Sequence, residues 1–126
     1  MKARKLLIGF ALVVAVLVAV WVLLPTSLPT IDPPTAEALS VTTDRWCEQP
    51  ADRGIPPEEW PDEVQRLRPQ SVRVSPDGVY IQQGSWLVEE WGVFIHRTGS
   101  NFRPSQGTDP SHRPLQGRVY WYEIKG

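Results

Sequence analysis

The sequence predicts an α+β or mainly β protein: an N-terminal single transmembrane helix, a Pro-rich linker, and a small antiparallel sheet of about four strands with one short helix. Three observations carry this expectation. Leu6 to Leu24 is an unbroken apolar run. Pro25, Pro29, Pro33 and Pro34 crowd the segment after it. Beyond Arg45, short runs of alternating apolar and polar residues are separated by Pro, Asp and Gly.

Residues 1–5, Met1-Lys-Ala-Arg-Lys5, form a basic head. The run LLIGFALVVAVLVAVWVLL, Leu6 to Leu24, holds 19 residues without a charge. As a helix it spans roughly 28 Å, close to the ~30 Å hydrocarbon core. The rival reading is a cleaved signal peptide, whose apolar region is about 7–15 residues and is followed closely by a small-x-small site. Pro25-Thr-Ser-Leu28 offers no such site, and Ala36-Glu37-Ala38 lies well downstream. The expectation is an uncleaved signal-anchor. Lys2, Arg4 and Lys5 precede the run, whereas Pro25 to Asp44 carries no Lys or Arg. The positive-inside rule then places the N-terminus in the cytoplasm and the C-terminal domain outside it. Arg far outnumbers Lys and Asn101 is the sole asparagine, a bias that fits a GC-rich bacterial genome, so the expectation is a single-pass protein of a bacterial inner (plasma) membrane with a periplasmic domain. Trp21 suits an interfacial position. Ala11, Ala15 and Ala19 follow a small-xxx-small pattern that would let two helices approach as a homodimer.

Residues 25–44 are expected to be a semi-extended spacer, because their prolines disfavour both helix and sheet. Residues 45–126 leave room for one small domain. Its charge is nearly balanced, nine Arg and Lys125 against eleven acidic side chains. No nucleic acid is expected as partner, since that needs a basic excess. Cys47 is the lone cysteine, so an intrachain disulfide is excluded; it is either buried beside Trp46 or paired with another chain.

Within this domain Pro56-Pro-Glu-Glu-Trp-Pro-Asp-Glu-Val-Gln-Arg-Leu-Arg68 holds the short helix, with Pro61 at its first position and Pro69 ending it. Acids stand in its first turn, bases follow, and Trp60, Val64 and Leu67 form one stripe. Ser71 to Ser75 and Val79 to Gln83 flank Pro76-Asp77-Gly78, the signature of a β-hairpin in which Gly78 takes the left-handed position. Trp86 to His96 is the third strand, with a bulge expected at Gly92 where the alternation slips. Arg97 to Gly117 reads as a long loop, pinned by Phe102 and Leu115. Arg118 to Lys125 is the last strand.

No catalytic residue, cofactor or metal is called. His96, His112, Cys47, Glu89, Glu90 and Asp109 match no metal-ligand spacing. Glu89 and Glu90 point to opposite faces of a strand and cannot act as a carboxylate pair. The binding residues expected are Arg97, Arg103, His112 and Arg113, because a long, locally basic loop in a compact domain is usually functional or disordered. The dense aromatics, Trp46, Trp60, Trp86, Trp91 and Trp121 among them, have two readings: core, because the aliphatics are too few to fill one, or an exposed binding platform.

The stretches GVYIQQGSWLVEEWGVFIHR and GTDPSHRPLQGRVYWYEIKG resemble a small family of uncharacterised bacterial membrane-anchored envelope proteins with no established function. The resemblance covers Val72 to Gly126 and implies a bacterial source and a discrete C-terminal domain. It brings no activity, ligand or site residue. The leading expectation is a non-catalytic envelope protein whose outer domain binds a partner protein or cell-wall component. The alternatives are a small anchored hydrolase using Glu89 or Glu90 with His96, and an immunity or inhibitor protein.

Overall fold

The computed structural model describes the backbone of residues 2–23, 28–49 and 52–126, and side-chain burial for Lys5, 8–17, 28–49 and 52–126. The first helix, α1, runs Lys2–Leu23. Lys2, Arg4 and Lys5 are thus its opening turns rather than a separate tail. Among the described residues no helix is long and apolar enough to cross a membrane. This corrects the expected transmembrane helix and, with it, the single-pass anchor, the inner-membrane location and the assigned sidedness. Ala11 and Ala15 are exposed. Trp21 and Ala19 lie outside the described side chains, and Leu24 to Ser27 lie outside the described residues.

The supposed spacer is the second correction. Helix α2 occupies Pro33–Trp46, so the expected boundary at Arg45 falls inside it. Pro33 and Pro34 stand in its first turn, where a missing N–H removes no helical bond and a fixed φ favours entry. Ala36, Leu39, Thr43 and Trp46 recur at helical spacing and are all buried. Ser40 turns its hydroxyl back to the Ala36 carbonyl at 2.7 Å, which satisfies a buried polar group without an outside partner.

The sheet has six antiparallel strands instead of four: β1 Arg53–Gly54, β2 Ser71–Ser75, β3 Gly78–Trp86, β4 Glu89–His96, β5 Ser111–Gln116 and β6 Val119–Ile124. Their order is β1-β2-β3-β4-β6-β5. A 3-10 turn at Pro57–Glu59 and the one-turn helix α3, Asp62–Gln65, join β1 to β2. Val79, Ile81, Val93, Ile95 and Val119, all at 0 % exposure, line the face that receives α2. Val64 of α3 and Leu39 join them at 1 %. Thr42 of α2 donates to Glu63 Oε1 at 2.7 Å and ties the two helices together.

Three local expectations shift. Gly78 is not left-handed; it opens β3, and neither Pro76 nor Asp77 has a positive φ. A side chain at Gly78 would collide with the Ile95 carbonyl, so close strand approach explains the glycine. The irregularity expected at Gly92 lies on the facing strand, between Gln82 and Gly84. Gly92 serves instead to let the Ile81 carbonyl come close. The loop expected from Arg97 to Gly117 shortens, because Ser111–Gln116 pairs with β6.

That strand is one border of the sheet. Its His112 N–H faces outward and donates to the Ser105 carbonyl at 2.8 Å. Pro114, two residues on with the same orientation, has no N–H to offer. The other border, β1, is two residues long.

Candidate functional site

The four residues expected to bind do not form one patch. Arg97 is half-buried; its Nε donates to the Pro76 carbonyl at 2.6 Å and so braces the β2–β3 turn. His112 is buried at 4 % exposure. Arg113 is exposed and pairs in register with Trp121, on the face opposite to His112, because alternate residues of a strand point to opposite sides. Arg103 is exposed in the loop before β5. The proposed acid–base partners are also apart. Glu89 and Glu90 open β4 and His96 ends it, so Glu90 and His96 lie six residues or ~20 Å apart along an extended strand. His96 Nδ1 lies 3.0 Å from the Arg97 carbonyl, which can only accept, so that nitrogen carries a proton. Among the described residues no group of three His, Cys, Asp or Glu side chains is placed to hold a metal.

The sheet face away from α2 carries a cluster that the sequence analysis did not assemble. Tyr80, Phe94 and Tyr122 stack across β3, β4 and β6, with ring centroids 4.4 Å apart for Tyr80–Phe94 and 4.8 Å for Tyr80–Tyr122. Phe102 reaches in from the loop, 4.8 Å from Phe94 and 4.6 Å from His112. Tyr80 Oη lies 3.2 Å from His112 Nε2. Tyr122 donates to Glu90 Oε2 at 2.8 Å, and Arg73 approaches the same oxygen at 3.5 Å while lying over the Tyr80 ring. Burial drives the Tyr122 hydroxyl strongly upward, and the Glu90 carboxylate adds to it, so the phenol stays a donor. Burial likewise raises Tyr80 and lowers His112, which favours a neutral imidazole. With Phe94 and Tyr122 at 0 % exposure, this is a second, smaller core and not an open platform.

The exposed apolar surface of the sheet lies elsewhere. Trp86, Leu87 and Val88 are 68 %, 90 % and 71 % exposed. They form the tip of the β3–β4 hairpin, because Trp86 pairs with Glu89 and leaves Leu87 and Val88 as the two-residue turn. Leu87 has φ 54°, and Val88 is not left-handed. A two-residue turn with positive φ at its first position is ordinarily served by glycine. Leucine there costs about 1–2 kcal/mol of backbone strain, and its side chain returns little by packing. Behind the tip, Glu89, Glu90, Trp91, Glu123, Ile124 and Lys125 line a depression. The sequence hid this turn: the expected third strand began at Trp86, and no Gly, Asn, Asp or Pro marks the reversal.

Cys47 is half-buried with a free thiol, and burial raises its pKa, which makes it a poor nucleophile. No protein-family model, no curated protein and no solved structure matches the chain.

Proposed function

We propose that this chain is a non-catalytic binding protein, and that the Trp86-Leu87-Val88 tip is its contact with a partner protein. The observation that carries the reading is Leu87: a large apolar side chain held in a conformation suited to glycine and presented almost fully to solvent. Strained backbone is concentrated where function requires it, and isolated folding gains nothing from this arrangement. A Trp beside it supplies the kind of rigid aromatic anchor that dominates protein contacts. The candidate acid–base groups, by contrast, are spent on the protein's own fold: Glu90 on Tyr122 and Arg73, His96 on the backbone of Arg97.

The test separates binding from stability. Leu87→Gly should raise stability by about 1 kcal/mol, because glycine accepts the left-handed turn. A photo-crosslinking residue at Trp86 should capture one discrete partner in cells, and the Leu87→Gly change should abolish that capture. The same residue at Val41, also well exposed on α2 at 59 %, is the control. Equal capture from both positions, or capture indifferent to Leu87→Gly, would remove the tip as the contact.

A further inference from the structure

We propose that the segment from Gly99 to Thr108 is a flap, latched over the aromatic face by Phe102 and opened by proton uptake on His112. The geometry first defines the flap. Its leading end is fixed at Thr98, whose N–H and hydroxyl both donate to Asp44, at 3.0 and 2.9 Å. Its trailing end is fixed at Asp109, whose Oδ1 accepts from the Lys125 N–H at 2.9 Å. Gly99, with φ 78°, and Gly107 stand just inside these anchors, and a side chain at either would meet open space.

Ser100, Phe102 and Ser105 hold the flap down between its ends. Ser100 donates to Asp77 Oδ1 at 3.2 Å. The Phe102 ring packs edge-on against His112. The Ser105 carbonyl accepts the His112 N–H. Phe102 packs on Phe94, His96 and Tyr120 as well, and Phe102 and Ser105 both reach His112. Opening would uncover the rings of Phe94, Tyr120 and His112, which Phe102 now contacts.

The surroundings of His112 decide what a proton does there. From β3 it faces Tyr80, whose Oη is its hydrogen-bond partner among the described residues. From β4 it faces Phe94, with Glu90 beyond, already engaged by Tyr122 and Arg73. From β6 come Tyr122, its register partner, and Tyr120, across the Phe102 ring. From the flap comes Phe102, with His96 and the exposed Arg103 beside it. Asp77 alone favours the charged imidazole, from a distance, and burial opposes it more strongly. The closed flap therefore binds the neutral ring better than the charged one. The part of closure that rests on the neutral ring is present in full above the usual imidazole value of 6.5 and is lost as the pH falls below it, toward the lower value of the buried ring.

The experiment labels the full chain with fluorophenylalanine, giving one resonance each for Phe10, Phe94 and Phe102, assigned by Phe102→Leu. Between pH 7 and 5 the Phe102 resonance should move toward its solvent-exposed position. For one proton the open fraction should rise by up to tenfold per pH unit below 6.5. Far-UV circular dichroism should stay native. His112→Gln, or His112→Phe if the amide fails to fold, should remove the pH dependence, and His96→Gln should keep it. The proposal is overturned if the Phe102 signal is flat with pH, if the transition survives in the His112 variant or vanishes in His96→Gln, or if it coincides with loss of the circular dichroism signal.

Discussion

A methyl group placed on Gly78 would run into the carbonyl of Ile95 on the neighbouring strand, and no rotamer relieves a clash that begins at Cβ. Gly78→Val should therefore cost about 1–3 kcal/mol, read as a fall in the thermal midpoint. Because the obstacle is backbone on β4, Gly78→Ala should cost nearly as much, whereas a purely left-handed glycine would penalise valine well beyond alanine. Local sequence made Pro76-Asp77-Gly78 legible as a turn and misassigned the reason for its glycine. The constraint comes from a residue seventeen positions away, which no local pattern encodes. Leu87 is the converse case. A turn built from Trp, Leu, Val and Glu carries no turn chemistry, so its position was illegible until the register between β3 and β4 fixed it.

At the scale of elements, α2 is bound to the sheet by more than its apolar stripe. Arg118 from β6's leading turn grips both oxygens of Asp44, at 2.9 and 3.0 Å, while its Nη1 also donates to the His96 carbonyl and to Thr98. The Arg118 hydrogen bonds, with help from Thr98, hold the Asp44 carboxyl at about 2 instead of 3.8. A depressed carboxylate stabilises the fold above its ordinary value, and that contribution disappears as pH falls from 3.8 through 2. The Asp44 side chain is 39 % exposed, so solvent screens the pair and its worth is about 1 kcal/mol. Asp44→Asn should lower stability by that amount at pH 6 and make little difference at pH 2, measured by denaturant unfolding at both values. Helix α2 escaped the sequence because its prolines were weighed as breakers, although at a first turn they are starters. Strand β5 escaped because Ser-His-Arg-Pro-Leu-Gln has neither alternation nor β-branched residues; pairing with β6 supplies what propensity does not.

For the molecule as a whole, α2 closes the larger core. Ile31, Ala36 and Leu39 belong to the same cluster as the valines and isoleucines of the sheet. A chain begun at Arg45, where the sequence placed the domain boundary, would leave that face uncovered. A fragment of residues 28–126 should unfold cooperatively, and one of residues 45–126 should bind a hydrophobic dye and show no sharp thermal transition. A sharp transition in the shorter fragment would show that the sheet stands without α2. The β2–β3 hairpin and the short helix α3 were legible because their punctuation is local. The candidate site was not: Trp86, Leu87 and Val88 look like the inside of a strand, and the two-sided burial of the sheet decides which aromatics reach solvent. Trp46 went inside and Trp86 outside for reasons of topology that composition does not carry.

The border formed by β5 has a consequence for how copies of this chain can meet. Unpaired strand borders template growth, since a second chain can dock there by backbone bonds alone and a third on the second. Here the outward donors at positions 112 and 114 are respectively occupied by Ser105 and missing in Pro114, and the opposite border is a two-residue strand. Ribbon-like polymerisation is thereby starved of donors on one flank and of length on the other. While the flap is closed, copies of this sheet that crowd together find no run of free backbone donors on the β5 border along which to extend it.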